Sequence, residues 1–255
     1  MRAHFQIQKW QGLVKSLLEN LDQHVAEAVS FFWTTRSSQS EKQTLSGKRD
    51  QGSRGAVTGG AQMSGFVRLL TDVIVEAGID PSRIFYNRCL ELPGFFRPTK
   101  QWDLLVVQDE QLLVAMEAKS HVGPSFGNNF NNRTEEAIGS ALDLWTAYRE
   151  GAFNKTVRPW LGYVFLLEDC PKSRCSVRVY QPHFKVFPEF INASYAKRYE
   201  LLCRKLVRER HYDASAFLIS QRDSGSEGRY EQPASDLTFE TYARSLFAYV
   251  RAHTA

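Results

Sequence analysis

The chain has 255 residues, 43% of them hydrophobic, and a net charge of +4. That is enough apolar material for one packed core. No apolar run approaches the roughly 18 residues a membrane helix needs, and the N-terminus lacks a basic-then-apolar export signal, so a soluble, cytoplasmic protein is expected. Cys89, Cys170, Cys175 and Cys203 form no CxxC pair and have no histidine at zinc-ligand spacing. Reduced, mostly buried thiols with neither disulfide nor zinc are therefore expected.

In chain order, residues 8–33 carry Val14, Leu17, Leu18, Leu21, Val25, Ala28, Val29 and Phe32 at helical spacing, which predicts a helix with one buried stripe. Residues 34–62 turn polar and Gly-rich and read as a long loop. A second helix is predicted over 63–77, ending at Gly78 with Pro81 beyond it. The rhythm then shortens to strands at 83–90, 102–108 and 112–120, rich in Val, Leu, Ile and aromatics. A helix over 134–150 follows, then an apolar run at 160–167 that reads as a strand buried on both faces. A strand–helix–strand crossover implies a parallel pair and a right-handed connection. A basic helix over 193–209, a Gly/Ser connector at 223–228 and a last helix over 237–250 complete the chain. Between Pro171 and Arg210, ten Lys/Arg face three acids. That excess suits a polyanion, although the same helix reads equally as a solvated charged face. One α/β domain over 1–255 is expected, with a core at 63–170, an N-terminal helix and loop at 1–62 and a basic helical part at 171–255.

The stretch WDLLVVQDEQLLVAMEAKSH, residues 102–121, sets three charged groups among strand residues. If the turn uses Asp109 to Gln111, antiparallel partner numbers sum to 220 and Asp103 lies opposite Glu117. Glu117 and Lys119 share that face, with Met116 and Ala118 on the other. A two-residue turn would shift the pairing by one and set Met116 against Asp103. Two carboxylates on one face repel unless a cation intervenes. A divalent ion with hard oxygen ligands, Mg²⁺ or Mn²⁺, resolves the conflict, as does a simple salt bridge through Lys119.

Asp103, thirteen further residues and then Glu117-Ala118-Lys119 resemble the PD-(D/E)xK nuclease superfamily, with Trp102 where the pattern has Pro. The longer stretches RPTKQWDLLV (97–106), EAKSHVGPSFGNNFNNRTEEAIG (117–139) and SYAKRYELLCRKL (194–206) resemble the XhoI family of type II restriction endonucleases. The resemblance runs from about Phe31 to Leu206. It implies a restriction-endonuclease-like core of helix, three-strand antiparallel meander, crossover helix and parallel strand, with added terminal helices. It further implies a homodimeric, Mg²⁺-dependent enzyme that cuts double-stranded DNA at CTCGAG after the first C, leaving 5′ overhangs, and a methyltransferase that protects the same site. Asp103 and Glu117 become the metal ligands, with the Ala118 carbonyl as a third. Lys119 is assigned to positioning water and stabilising the transition state, because two neighbouring carboxylates favour its protonated form.

Asparagine pairs bidentately with adenine and arginine with guanine in the major groove, which makes Asn128, Asn129, Asn131, Asn132 and Arg133 candidates for base reading. Asn132 equally suits a helix cap. Lys172, Ser173 and Arg174 are weaker DNA-contact candidates, and Arg54 lies in the long loop. Asp72 and Glu76, four apart on the second helix, offer a further acid, although a solvated face reads better. Gly123-Pro124-Ser125-Phe126-Gly127 matches the GxSxG nucleophile elbow, which needs a helix starting at the serine. The turn-prone FGNNFNNR argues against one. Two other readings remain open: a DNA-binding protein without cleavage, and a repair-type nuclease of the same superfamily.

Overall fold

The fold is known from a computed structural model, which describes residues 17–45, 59–154 and 157–254. The first two long helices among the described residues are α1 (Leu21–Leu45) and α2 (Gly59–Glu76). The first runs on through 34–45, where a loop is expected from sequence, while 8–16, Arg54 and most of the 49–60 segment fall outside the described residues.

The central sheet has five strands: β1 (Ile84–Phe85), β4 (Leu104–Gln108), β5 (Gln111–His121), β6 (Trp160–Glu168) and β7 (Ala214–Ser220), side by side in that order. β1 with β4 and β4 with β5 are antiparallel, whereas β5, β6 and β7 run parallel. Helix α3 (Phe126–Arg149) connects β5 to β6. A separate hairpin, β2 (Glu91–Pro93) with β3 (Thr99–Gln101), occupies part of the chain between β1 and β4. The expected strand at 83–90 thus shrinks to two residues. Beyond β6 lie the short turn α4 (Pro171–Arg174), α5 (Tyr195–Arg208), the short α6 (Arg222–Gly225) and α7 (Phe239–Ala252).

The sheet is packed on both faces. Val114, Met116 and Ala118 of β5 join Val164, Leu166, Ala216 and Leu218 in a core covered by α1, α2 and α7. Ala115, Leu161, Tyr163, Phe165 and Phe217 face α3 and α5. This is a mixed α/β architecture compatible with a restriction-endonuclease-like fold. The part after residue 170 is not wholly helical: ASAFLIS forms β7, buried along its full length. It lies against β6, and Trp33 of α1 donates to Ser220 Oγ at its end, 3.0 Å away. Of the four thiols only Cys203 is buried; Cys89 and Cys175 are exposed, contrary to the expectation of mostly buried cysteines. No helix among the described residues is long and apolar enough to cross a membrane.

The β4–β5 turn reconciles two alternatives that sequence leaves open. It has two residues, Asp109 (φ 50°) and Glu110 (φ 62°), both left-handed as a type I′ hairpin turn requires. Near the turn, partner numbers sum to 219, with Gln108 opposite Gln111 and Val107 opposite Leu112. An irregularity between Val106 and Val107 then absorbs Leu113, and from Val106–Val114 to Leu104–Met116 the sum is 220. One extra residue inserted in one strand of an antiparallel pair is a β-bulge. Asp103 therefore comes level with Glu117 although the turn is short.

Candidate active site

Glu117 projects from β5 toward α3 and its side chain is fully buried. An isolated carboxylate there would be costly. Its Oε1 instead accepts from Lys100 Nζ at 2.7 Å and lies 3.1 Å from Lys119 Nζ. Its Oε2 accepts from the Tyr212 hydroxyl at 3.2 Å, a group that also lies 3.1 Å from the Ala137 carbonyl. Burial pushes the Glu117 carboxyl up, but the Lys119 and Lys100 ammonium groups outweigh it and hold its pKa below the usual value.

Asp103, just before β4, is held by its backbone N–H on the Met116 carbonyl at 3.1 Å. Its Oδ2 accepts from the Ala118 N–H at 2.8 Å and from Lys119 Nζ at 3.3 Å. One ammonium group thus bridges the two carboxylates, with Glu136 of α3 at 3.9 Å as a third negative neighbour. Burial works against the charge on Lys119, but Glu117, Asp103 and Glu136 prevail and raise its pKa above the ordinary lysine range. Arg133, one helical turn before Glu136, pairs with that carboxylate. The chain of charges runs Arg133–Glu136–Lys119–Asp103/Glu117–Lys100.

Sequence reasoning brings Asp103, Glu117 and Lys119 together but misses Lys100, Tyr212 and Glu136. Lys100 belongs to the separate hairpin and reaches the site over the ring of Trp102, 4.1 Å from its centroid. The donor set suits a divalent ion. Two carboxylate oxygens from adjacent strands already converge on one cationic nitrogen, and Mg²⁺ is ordinarily held by one or two carboxylates with water and phosphate completing the shell. No larger cluster of His, Cys, Asp and Glu with ligand geometry occurs among the described residues.

Beside Asp103 opens a cleft of about 600 Å³ whose lining includes Phe31, Ser64, Arg68, Gln101 and Trp102. From α2 it is lined by Ala61, Ser64, Val67 and Arg68, the last stacked over Phe31 at 4.3 Å. Asp72 and Glu76 are not among its lining residues. Partial burial raises both carboxyls, with His24 and Arg68 the charges acting on Asp72.

GNNFNNR forms the opening turns of α3, not a loop before it, so Asn132 is no cap and Ser125 occupies the N-cap position. The helix required by a nucleophile elbow is therefore present, contrary to the expectation from composition. Its chemistry is not: the ring nitrogens of nearby His121 face the Tyr199 hydroxyl (2.7 Å) and the Asn129 amide (3.4 Å). Burial lowers the His121 pKa to about 4. Asn128, Asn131 and Asn132 are exposed on one face of α3, while Asn129 and Arg133 are half-buried. Lys172 and Asn128 line the same shallow depression. Arg174 is held by Asp169 and Glu231. Much of the basic charge on α5 is compensated, with Arg204 on Glu200 and Asp236, Lys197 on Glu200 and Lys205 on Glu209.

A mixed sheet with two carboxylates and a lysine meeting at its centre is an arrangement type II restriction enzymes, which are site-specific deoxyribonucleases, can use. The model of the restriction endonuclease XhoI family matches residues 42–232, and the chain belongs to that family. Type II restriction enzyme BstVI of Geobacillus stearothermophilus is 54% identical over 212 residues, covering 81% of this chain and 95% of its own. Type II restriction enzyme XhoI of Xanthomonas vasicola is 47% identical over 193 residues, 74% and 77% of the respective chains. Type II restriction enzyme AbrI of Azospirillum brasilense is 51% identical over 169 residues, 66% and 76%. No solved structure gives a significant match.

Proposed function

We propose that this protein is a homodimeric, Mg²⁺-dependent endonuclease that cuts double-stranded DNA at CTCGAG after the first C, leaving 5′ overhangs, on a restriction-endonuclease-like core. The observation that carries the reaction is the convergence of Asp103 Oδ2 and Glu117 Oε1 on one cationic nitrogen. The recognition sequence rests on the family resemblance. Asp103, Glu117 and the Ala118 carbonyl would hold the ion, which when bound supplies Lewis-acid stabilisation of phosphate charge and acidifies an attacking water. Asp103 is oriented for this by the Ala118 N–H. Lys119, kept protonated by its carboxylate neighbours, orients the water and stabilises negative charge on the phosphate. Lys100 keeps Glu117 ionised in its buried position.

For sequence reading, Asn128, Asn131 and Asn132 offer exposed amides at helical spacing suited to a major groove. Asn129 supports them through His121. Arg133 reaches a guanine by exchanging Glu136 for the base. Lys172, and Arg174 beyond it, fit phosphate contacts. Dimerisation is supported by Tyr180, Phe184 and Phe187, three largely exposed aromatic side chains within eight residues. At roughly 200 Å² per side chain they offer about 500 Å², a large part of the roughly 800 Å² per partner of a stable interface. A palindrome read by a two-fold dimer presents the same patch to each half-site. The enzyme would work in the cytoplasm beside a methyltransferase of the same specificity.

The test is digestion of a plasmid with one CTCGAG site, with Mg²⁺ and then with EDTA, followed by mapping of the ends. One metal-dependent cut after the first C is expected. Tight, salt-sensitive binding without cutting would favour a binding protein, and sequence-independent cutting a repair-type nuclease.

A further inference from the structure

The tip of the β2–β3 hairpin, residues 94–98, presents two adjacent phenylalanines to solvent, Phe95 at 54% and Phe96 at 68% exposure. They contact each other edge to face, with centroids 5.3 Å apart. Exposed aromatics on a mobile loop would mean little, but this tip is fastened. The buried carboxylate of Asp143 on α3 accepts from the Phe95 N–H at 2.6 Å, the Phe96 N–H at 2.8 Å and Arg97 Nε at 2.7 Å. These donors and the Arg97 guanidinium hold the Asp143 carboxyl below its usual pKa against the effect of burial. Gly94 is required for the fit, since a Cβ there would collide with Asp143 Oδ2 and come 2.7 Å from the Arg97 carbonyl. Among the described residues each ring's only aromatic contact is with the other, yet a buried charge and a glycine fix their backbone.

We propose that Phe95 and Phe96 form a wedge that enters the DNA beside the recognition site and unstacks a flanking base step. This rests on the nuclease reading above. Together the rings expose about 250 Å², well short of the roughly 800 Å² a dimer partner requires, but the size of the apolar wedges that enter between base steps and kink a duplex. Their place in the fold sets where they act. Phe96 is four residues from Lys100, whose ammonium group touches Glu117, and the bent tip keeps the two within the roughly 13 Å that four extended residues would span. That is at most about four base-pair rises of roughly 3.4 Å. Asp143 lies 11 to 15 residues along α3 from the exposed asparagines Asn132 to Asn128, or about 16–22 Å. A six-base-pair site spans only about 20 Å, so a tip this far from the reading face meets flanking DNA.

The experiment compares wild type with the full-length F95A/F96A variant on two kinds of CTCGAG duplex. One is fully paired; the other carries a single mismatch placed in turn at each pair outside the site. The variant is expected to keep its melting temperature and oligomeric state and to lose at least tenfold in kcat/KM on the paired duplex. It should regain most of that loss when the mismatch lies within about four pairs of the cut, because a mismatched step costs less to unstack. Wild type should gain little. A variant that cuts the paired duplex like wild type, or stays equally impaired on every mismatched one, overturns the wedge while leaving the nuclease intact. Sedimentation showing monomeric variant and dimeric wild type would instead assign the tip to the interface between copies, and likewise overturns it. A wild type that cuts no CTCGAG duplex sinks the functional reading itself, and this inference with it.

Discussion

Lys100→Met removes one of the two cations on Glu117 Oε1 while keeping an apolar stem over Trp102. Removing one partner of a buried ion pair costs about 3–5 kcal/mol. Here Lys119 stays 3.1 Å from the same oxygen and Tyr212 still holds the other, so the expected loss at neutral pH falls to about 2–3 kcal/mol, or roughly 5–10 °C in melting temperature for a domain of this size. Urea unfolding in EDTA at pH 7 measures it. Lys100→Met in a Glu117→Gln background should cost at least about 1.5 kcal/mol less, the coupling a double-mutant cycle reads for contacting charges. The pH dependence has a definite sign. The folded pKa of Glu117 is depressed below 4.5, so the contribution is complete above that value and is lost as pH falls through the folded pKa. The penalty should therefore shrink in acid. An equal cost in both backgrounds, or a penalty that grows below pH 4.5, would refute the role given to Lys100.

Lys119→Ala should abolish cleavage while specific DNA binding by gel shift stays within a few-fold; retained cutting removes Lys119 from the mechanism. Arg133→Ala should relax sequence preference among variants of the site in a cleavage-selectivity assay, and unchanged selectivity would exclude it from base reading. His121 stays neutral in the folded protein down to about pH 4 whereas the unfolded chain protonates it near 6.5. The unfolded chain thus binds more protons in that window, and stability should fall by about 3 kcal/mol as pH drops from 6.5 to 4. Replacing His121 with Phe should flatten that slope in urea titrations at stepped pH. The F184A/F187A variant should weaken self-association by sedimentation without lowering the melting temperature; an unchanged dimer would move the interface elsewhere.

Glu117 and Lys119 are legible in sequence because a strand sorts its side chains with period two, so charged residues two apart among apolar neighbours must share a face. Asp103 joins them once the pairing sum is known, and that sum depends on a turn and a bulge that no local pattern reveals. Lys100 escapes because it belongs to a different sheet, and a hairpin folding over Glu117 is a tertiary event. Tyr212 arrives from 95 residues away, at the mouth of a strand that periodicity alone cannot separate from a buried helix. The start of α3 is misread because Asn and Gly disfavour helix in isolation. Phe126, inserted against His121 and Tyr195, supplies the burial that overrides propensity.

The bulge at Leu113 also makes the hairpin behave like a reading frame. The short turn sets the strands one residue out of phase, and the bulge restores the phase before Asp103 and Glu117 are reached. Deleting Leu113 would remove the bulge yet leave Val107 opposite Leu112 and Val106 opposite Val114, so Glu117 stays level with Asp103 and cleavage should survive, whereas adding a residue between Val114 and Glu117 pushes Glu117 out of level and should inactivate the enzyme. The hairpin thus carries one spare residue, a slack that a genetic selection for restriction could reveal as a tolerated deletion beside an untolerated insertion.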